Sequence, residues 1–391
     1  MTVPPAFVLR LGPTGLTVVR ALGRRGVPVV SLHSNSRDPS ARSRYARARL
    51  LPPLEDREDA WLDALREEGR RLGGGPGVIF PIGDTGWLFL ARHREELQRT
   101  FRFALPDADD LEEWPGKPFQ YRAAVAAGVP VPKTVFPQSA EEAWAGALAV
   151  GMPCLIKPAH PHRWRPTHRW QKLVVAATAK EAVARWREAA ERGLAVIVQE
   201  YIPGGDDQCF NVQSYLDRRG EPLATAVIRK IRQYPPGFGT SSISATVRDP
   251  AIRRRLTDLG VALLRGIRFH GISSAEFKRD ARSGEFAFIE LNLRPGMMSA
   301  VTIDDGINLP YIAYRDLLGE RVPNAVGSGG DRKVVLISYD AQAFRIYRAR
   351  GELTWGQWLR SLRGTREYYF GWDDPLPFIG HVARIVRGLV T

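Results

Sequence analysis

The chain has 391 residues, 44% apolar and 25% charged, a composition that excludes wholesale disorder and suits roughly two or three globular domains. No run of 18 or more apolar residues appears, so no membrane-spanning helix is expected, and the opening MTVPPAFVLRLG lacks the basic start and long apolar stretch of a secretion signal. The net charge of +14 sets eight lysines and 48 arginines against 42 acidic residues. It favours anionic partners such as nucleotides and acidic substrates. Without a helix-turn-helix, zinc-finger or RNA-recognition signature, it implies no nucleic acid.

Residues 6–10 read as a strand, Gly15 to Gly26 as a helix and Val27 to Leu32 as a second strand, the opening of a parallel α/β domain. Gly12-Pro-Thr-Gly15 has only two glycines and matches a dinucleotide fingerprint poorly, so a tight structural turn is expected. A second unit follows, with a helix from Trp61 to Leu72, a glycine-rich loop at 73–77, a strand at 78–81 and a helix after Gly83. Asp84 stands just past that strand's carboxyl end, where open α/β sheets bind ligands, and it also suits a helix N-cap. A polar, proline-containing stretch at 106–118 marks a boundary. Beyond it come a helix at 119–127, short strands near 133–136, 154–157, 173–177 and 195–201, and helices at 140–149 and 179–192. From 210 to 294 the pattern is mostly strand, with one helix near 253–265.

Charge on two of these strands carries most of the information. In Glu290-Leu-Asn292-Leu-Arg294, alternation puts Glu290, Asn292 and Arg294 on one face and the leucines on the other. In Ser274-Ala-Glu276-Phe-Lys278, Glu276 and Lys278 share a face in the same way. A three-residue connection at 282–284, with Gly284 left-handed, sets Glu276 directly opposite Glu290. Facing carboxylates destabilise a sheet unless a cation lies between them. Two glutamates and an asparagine offer hard oxygen donors suited to Mg2+ or Mn2+. The plainer alternative is a solvated face on which Lys278 and Arg294 neutralise the carboxylates.

These residues, Glu276 and the run Glu290-Leu-Asn292-Leu-Arg294-Pro-Gly296, resemble the metal-binding end of the ATP-grasp superfamily. Other segments agree: Lys117 before a helix, Lys157 at a strand end, and Gln199-Glu200-Tyr201-Ile202-Pro203-Gly204 followed by Asp206 and Asp207. The spacing is most similar to D-aspartate ligases and related carboxylate–amine ligases. The resemblance covers roughly residues 1–325. It implies an α/β and α+β protein in three parts. These are a Rossmann-like pre-ATP-grasp domain at 1–105, an ATP-grasp domain of two α+β subdomains at 106–325 with its hinge near 199–204, and an Arg/Trp-rich extension at 326–391.

It also implies a function. The chain would be an ATP- and Mg2+-dependent ligase (Mn2+ serving as well) that joins a small carboxylate to an amine through an acyl phosphate. Lys117, Lys157 and Lys172 would contact phosphates. Gln199, Glu200, Tyr201 and Ile202 would hold adenine, and Asp207 the ribose. Glu276, Glu290 and Asn292 would hold the metal, and Arg294 the transferring phosphoryl group. Arg229 and Lys230 would face the substrate carboxylate or acyl phosphate.

One departure stands out: residues 158–171, where many relatives carry a glycine-rich phosphate lid, contain no glycine and three histidines. Without a cysteine or acid beside them, those histidines do not read as a zinc site. Cys154 and Cys209 have no metal-ligand spacing and fit a reducing cytoplasm. The aromatic and basic residues of the tail suit core packing above all, a homodimer contact, or peripheral contact with an anionic membrane surface. Rival functions are a bicarbonate-using carboxylase or carbamoyl-phosphate-type enzyme, and a catalytically idle ATP sensor.

Overall fold

The computed structural model describes residues 3–161 and 173–388. Three sheets organise it. The first holds β1 (Ala6–Leu9), β2 (Val29–His33), β3 (Ala46–Leu50), β4 (Gly77–Pro81) and β5 (Phe101–Arg102), all parallel in the order β3-β2-β1-β4-β5. Every residue of β1 and β4 is buried, as a parallel sheet covered on both faces requires. Strand order reverses between β1 and β4. Such switch points open a crevice at the strands' carboxyl ends, and Thr14 and Asp84 follow those two ends. The helix after β1 spans Gly12–Gly23, so Gly12-Pro-Thr-Gly15 forms its first turn rather than a loop before it. A Cβ on Gly15 would lie 2.5 Å from the Arg10 carbonyl oxygen; close packing, not a ligand, accounts for that glycine.

The second sheet holds β6 (Thr134–Val135), β7 (Cys154–Pro158), β8 (Val174–Ala176) and β9 (Val196–Glu200), antiparallel in the order β6-β9-β7-β8. Helices Ala140–Val150 and Ala179–Ala190 cover one face, with Ile156, Val198, Ala147 and Ala182 in the shared core. Alternation turns Lys157 and Gln199 to the other face.

The third and largest sheet runs β14-β13-β10-β11-β12-β16-β17, with β15 against β11. Its strands are β10 (Cys209–Leu216), β11 (Pro222–Tyr234), β12 (Thr240–Thr246), β13 (Gly271–Arg279), β14 (Phe286–Asn292), β15 (Ala325–Val326), β16 (Lys333–Val335) and β17 (Thr365–Glu367). The helix Pro250–Gly266 buries Leu256, Leu259, Leu263 and Leu264. Strand β15 straddles the expected boundary at 325/326, and β16 and β17 extend the same sheet, so the tail joins it. Within the tail, Tyr368 and Tyr369 are buried, whereas Trp372 is 89% exposed and Leu376, Ile379 and Val386 stand out from the helix Leu376–Val386. No helix among the described residues is long and apolar enough to cross a membrane.

Candidate active site

The hairpin of β13 and β14 pairs Glu276 with Glu290, Ser274 with Asn292 and Ala275 with Leu291. That is the expected register, reached by a different route. Asp280 N–H donates to the Glu285 carbonyl, so the connection is four residues long. Phe277 then pairs with Phe288, and Ile289 forms a bulge that restores the pairing at Glu276. Gly284 is left-handed, with φ of 78°. Ala275, Phe277, Leu291 and Leu293 are buried in the core, while Glu276, Lys278, Glu290, Asn292 and Arg294 line one cavity of about 490 Å3.

Strand β14 is a sheet edge, and the helix Lys117–Ala126 satisfies it. Gln120 donates to the Leu291 carbonyl at 2.8 Å and accepts from Leu291 N–H at 3.0 Å, and the Tyr121 hydroxyl donates to the Ile289 carbonyl at 2.9 Å. The same helix brings Lys117 Nζ to 3.4 Å from Glu290 Oε1. From β11, Lys230 Nζ donates to Glu276 Oε1 at 2.9 Å and to Gln233 Oε1 at 3.2 Å. Each carboxylate therefore has a lysine partner, though not Lys278 or Arg294 as the plain reading expected. Burial works to lower the Lys230 pKa, but the charge and hydrogen bond of Glu276, with the charges of Cys209 and Glu290, together hold it above the ordinary value. Arg294 reaches the first sheet instead: its Nη2 lies 2.8 Å from Asp84 Oδ1. The carboxylate past β4 thus clasps the guanidinium past β14.

Across the cavity, Lys157 Nζ donates to Gln199 Oε1 at 2.6 Å, and Gln199 Nε2 donates to Thr134 Oγ1 at 2.8 Å. Burial, helped by the charge of Lys117, pushes the Lys157 ammonium down to about 7 against the pull of Glu290 and Glu276. Glu200, Tyr201 and Ile202 line the same cavity, and Lys278 Nζ sits 5.3 Å over the Tyr201 ring. Cys209 also lines it, with burial pushing its thiol up to about 11.

Two candidates lie elsewhere. Arg229 and Asp207 are exposed and line a separate depression. Arg229 precedes Lys230 on β11 and so points to the opposite face. Asp207 is the outward member of an acidic pair whose inner member, Asp206, is buried and fully engaged by Gln233, Gly237 and Tyr347. Lys172 and most of the glycine-free segment lie outside the described residues. Asn211 and Ser274 also line the cavity, with the buried Gln213 behind them, and sequence reading placed none of the three there. Gln213 Nε2 donates to Ser274 Oγ at 3.0 Å, and Ser274 Oγ donates to Asn211 Oδ1 at 2.9 Å, a polar floor beside Glu276. The alternation of Asn211 and Gln213 with Phe210 and Val212 along β10 was the available signal.

Glu276, Glu290 and Asn292 give an all-oxygen donor set on one wall, open on the cavity side, which fits a hard dication that keeps other ligands from phosphate and water. Among the described residues no group of three or more His, Cys, Asp or Glu forms a metal cluster.

No family model matches the chain. It is 23% identical over 249 residues to a D-aspartate ligase of Enterococcus faecium, a match that covers 61% of this chain and 58% of that enzyme, under two thirds of its length. Among solved structures it resembles the biotin carboxylase–nucleotide complex of Campylobacter jejuni. The TM-score is 0.64 at 17% identity, covering 81% of this chain and 72% of that one. It also resembles an L-amino acid ligase of Bacillus licheniformis, with a TM-score of 0.59 at 16% identity and coverage of 80% and 74%. These matches and the layered sheets around one polar cleft agree: the chain has the ATP-grasp fold, and its sequence is similar to the carboxylate–amine ligases of that superfamily.

Proposed function

We propose that the protein is an ATP- and Mg2+-dependent ligase that joins a small carboxylate to an amine. The observation that carries this reading is the convergence, in one cavity, of the cross-strand pair Glu276 and Glu290 with Asn292, Arg294 and the buried lysines Lys117, Lys157 and Lys230. Glu276, Glu290 and Asn292 would hold Mg2+, which when bound neutralises charge on the triphosphate. Lys117 and Lys157 face the phosphates, and the end of β9 at Gln199–Ile202 offers its backbone to adenine. A substrate carboxylate oxygen attacks the γ-phosphorus and ADP leaves. Arg294 and Lys230 stabilise the charge on the oxygens in transfer. The amine nitrogen then attacks the acyl carbon, phosphate departs with the C–O bond electrons, and the nitrogen loses its proton.

The similarity to a D-aspartate ligase supports amide formation over other outcomes. A phosphate-release screen with amino acids singly and in pairs, followed by product mass, tests it. Release that needs an acid and an amine together, with an amide product, is expected. Release driven by bicarbonate alone would move the protein to the carboxylase class, and tight ATP binding with no ADP formed would make it a sensor. For the tail, the exposed stripe around Trp372 and Ile379 suits a homodimer contact or an anionic membrane surface. Sedimentation with and without anionic vesicles separates the two.

A further inference from the structure

The tail reaches the metal wall through a chain of hydrogen bonds with a fixed direction. The helix Ile337–Ala349 presents Tyr347, whose hydroxyl donates to Asp206. Asp206 is 7% exposed and its carboxylate only accepts. Oδ1 takes Gln233 Nε2 at 2.7 Å and Gly237 N–H at 3.0 Å, and Oδ2 takes Gln233 N–H at 2.9 Å. With its nitrogen committed to Asp206, the Gln233 amide must turn its oxygen to Lys230 Nζ, 3.2 Å away, and Lys230 meets Glu276 at 2.9 Å. We propose that Asp206, braced by Tyr347 of the tail, is a positioning residue: it fixes the Gln233 amide so that the Lys230 ammonium is shared between Gln233 and Glu276 rather than given wholly to Glu276. Sharing leaves Glu276 the oxygen electron density a dication needs. The inference rests on the ligase reading for the role of Glu276.

The test measures Mn2+ affinity in the presence of ADP, by calorimetry, alongside kcat and KM for ATP in the full chain. Asp206→Asn removes the obligate acceptor and lets the Gln233 amide turn over. It is expected to weaken Mn2+ binding about tenfold and to lower kcat by a similar factor, with KM for ATP within about twofold. Pairing it with Gln233→Glu restores one acceptor toward Lys230 and one toward the new amide, and is expected to recover Mn2+ affinity to within about threefold of the parent. Tyr347→Phe keeps the ring and covers the case in which Asp206→Asn fails to fold. It is expected to weaken Mn2+ binding about threefold, with a melting temperature lower by no more than a few degrees. Unchanged Mn2+ affinity in Tyr347→Phe and Asp206→Asn, or no recovery in the double variant, overturns the proposal, as does a parent protein that binds no Mn2+ with ADP. If the parent binds Mn2+ but forms no amide with any acid and amine, the ligase reading fails while the metal titrations still decide the relay.

Discussion

At the residue scale, Lys157 makes a pH-dependent prediction. Its folded pKa of about 7 lies below the ordinary lysine value of about 10.4, so between these values the folded chain holds fewer protons than the unfolded one. By linkage, this group's contribution to stability rises with pH through that window and is lost below about pH 7. A phosphate against Nζ favours the charged form. Nucleotide binding above pH 7 should therefore take up a proton, and affinity should fall as pH rises. Calorimetry in buffers of different ionisation enthalpy reads the uptake, and Lys157→Arg, charged throughout, should abolish it; equal apparent enthalpies for the parent in all buffers would contradict this. Glu290 makes a second prediction. Its side chain is 40% exposed, so Glu290→Gln should leave the melting temperature within a few degrees while removing one proposed dication ligand. ADP formation should drop at least about a hundredfold, and a variant that turns over normally would remove Glu290 from the mechanism.

At the scale of elements, the hairpin shows what a sequence carries and what it hides. Period-two alternation sorts Glu276 and Lys278 from Phe277, and Glu290, Asn292 and Arg294 from Leu291 and Leu293, because one face must be dry, but it fails for Phe286 and Phe288, which share the parity of Glu290 and lie in the core. The direct pairing of Glu276 with Glu290 was also legible, but through two departures that cancel: a turn one residue longer than expected and a bulge at Ile289. The change of parity from Phe286 and Phe288 to Leu291 and Leu293 was the one local sign of a bulge; the edge clamp by Gln120 and Tyr121, more than 160 residues earlier, stabilises it. Deleting Ile289 should close the bulge and leave Phe288 opposite Phe277 and Glu290 opposite Glu276 in an unbroken ladder. Nucleotide-dependent Mn2+ binding should survive, as it should after a one-residue deletion in the 281–284 turn. Loss of Mn2+ affinity in the Ile289 deletion would show that the bulge, held by Tyr121, is itself needed to seat Glu290. Strands β15, β16 and β17, of two or three residues each, were not legible, since so short a run has no period to read. Strand β3, whose arginines alternate with alanines, was passed over because it lacks the apolar run of its neighbours.

For the whole molecule, buried ion pairs tie distant stretches together. Arg20 on the first helix and Asp374 in the tail are both nearly sealed, with Nε to Oδ2 at 2.9 Å, and the Ser43 hydroxyl and Arg44 N–H also donate to Asp374. Removing one partner leaves the other charge buried, so Asp374→Ala should cost about 3–5 kcal/mol in urea unfolding; a cost under about 1 kcal/mol would mean the tail docks by its apolar contacts alone. The placement of the N-terminal sheet was foreseeable from its β-α-β pattern. The return of the tail was not, because the pairs that anchor it join residues some 350 positions apart and no local pattern encodes them. The Tyr368 hydroxyl donates to the Met297 carbonyl and accepts from Thr17 at 2.9 Å, and Met297 lines the cavity. Synthesis runs from the other end, so a chain still on the ribosome carries both glutamates long before it carries the phenol that braces their pocket.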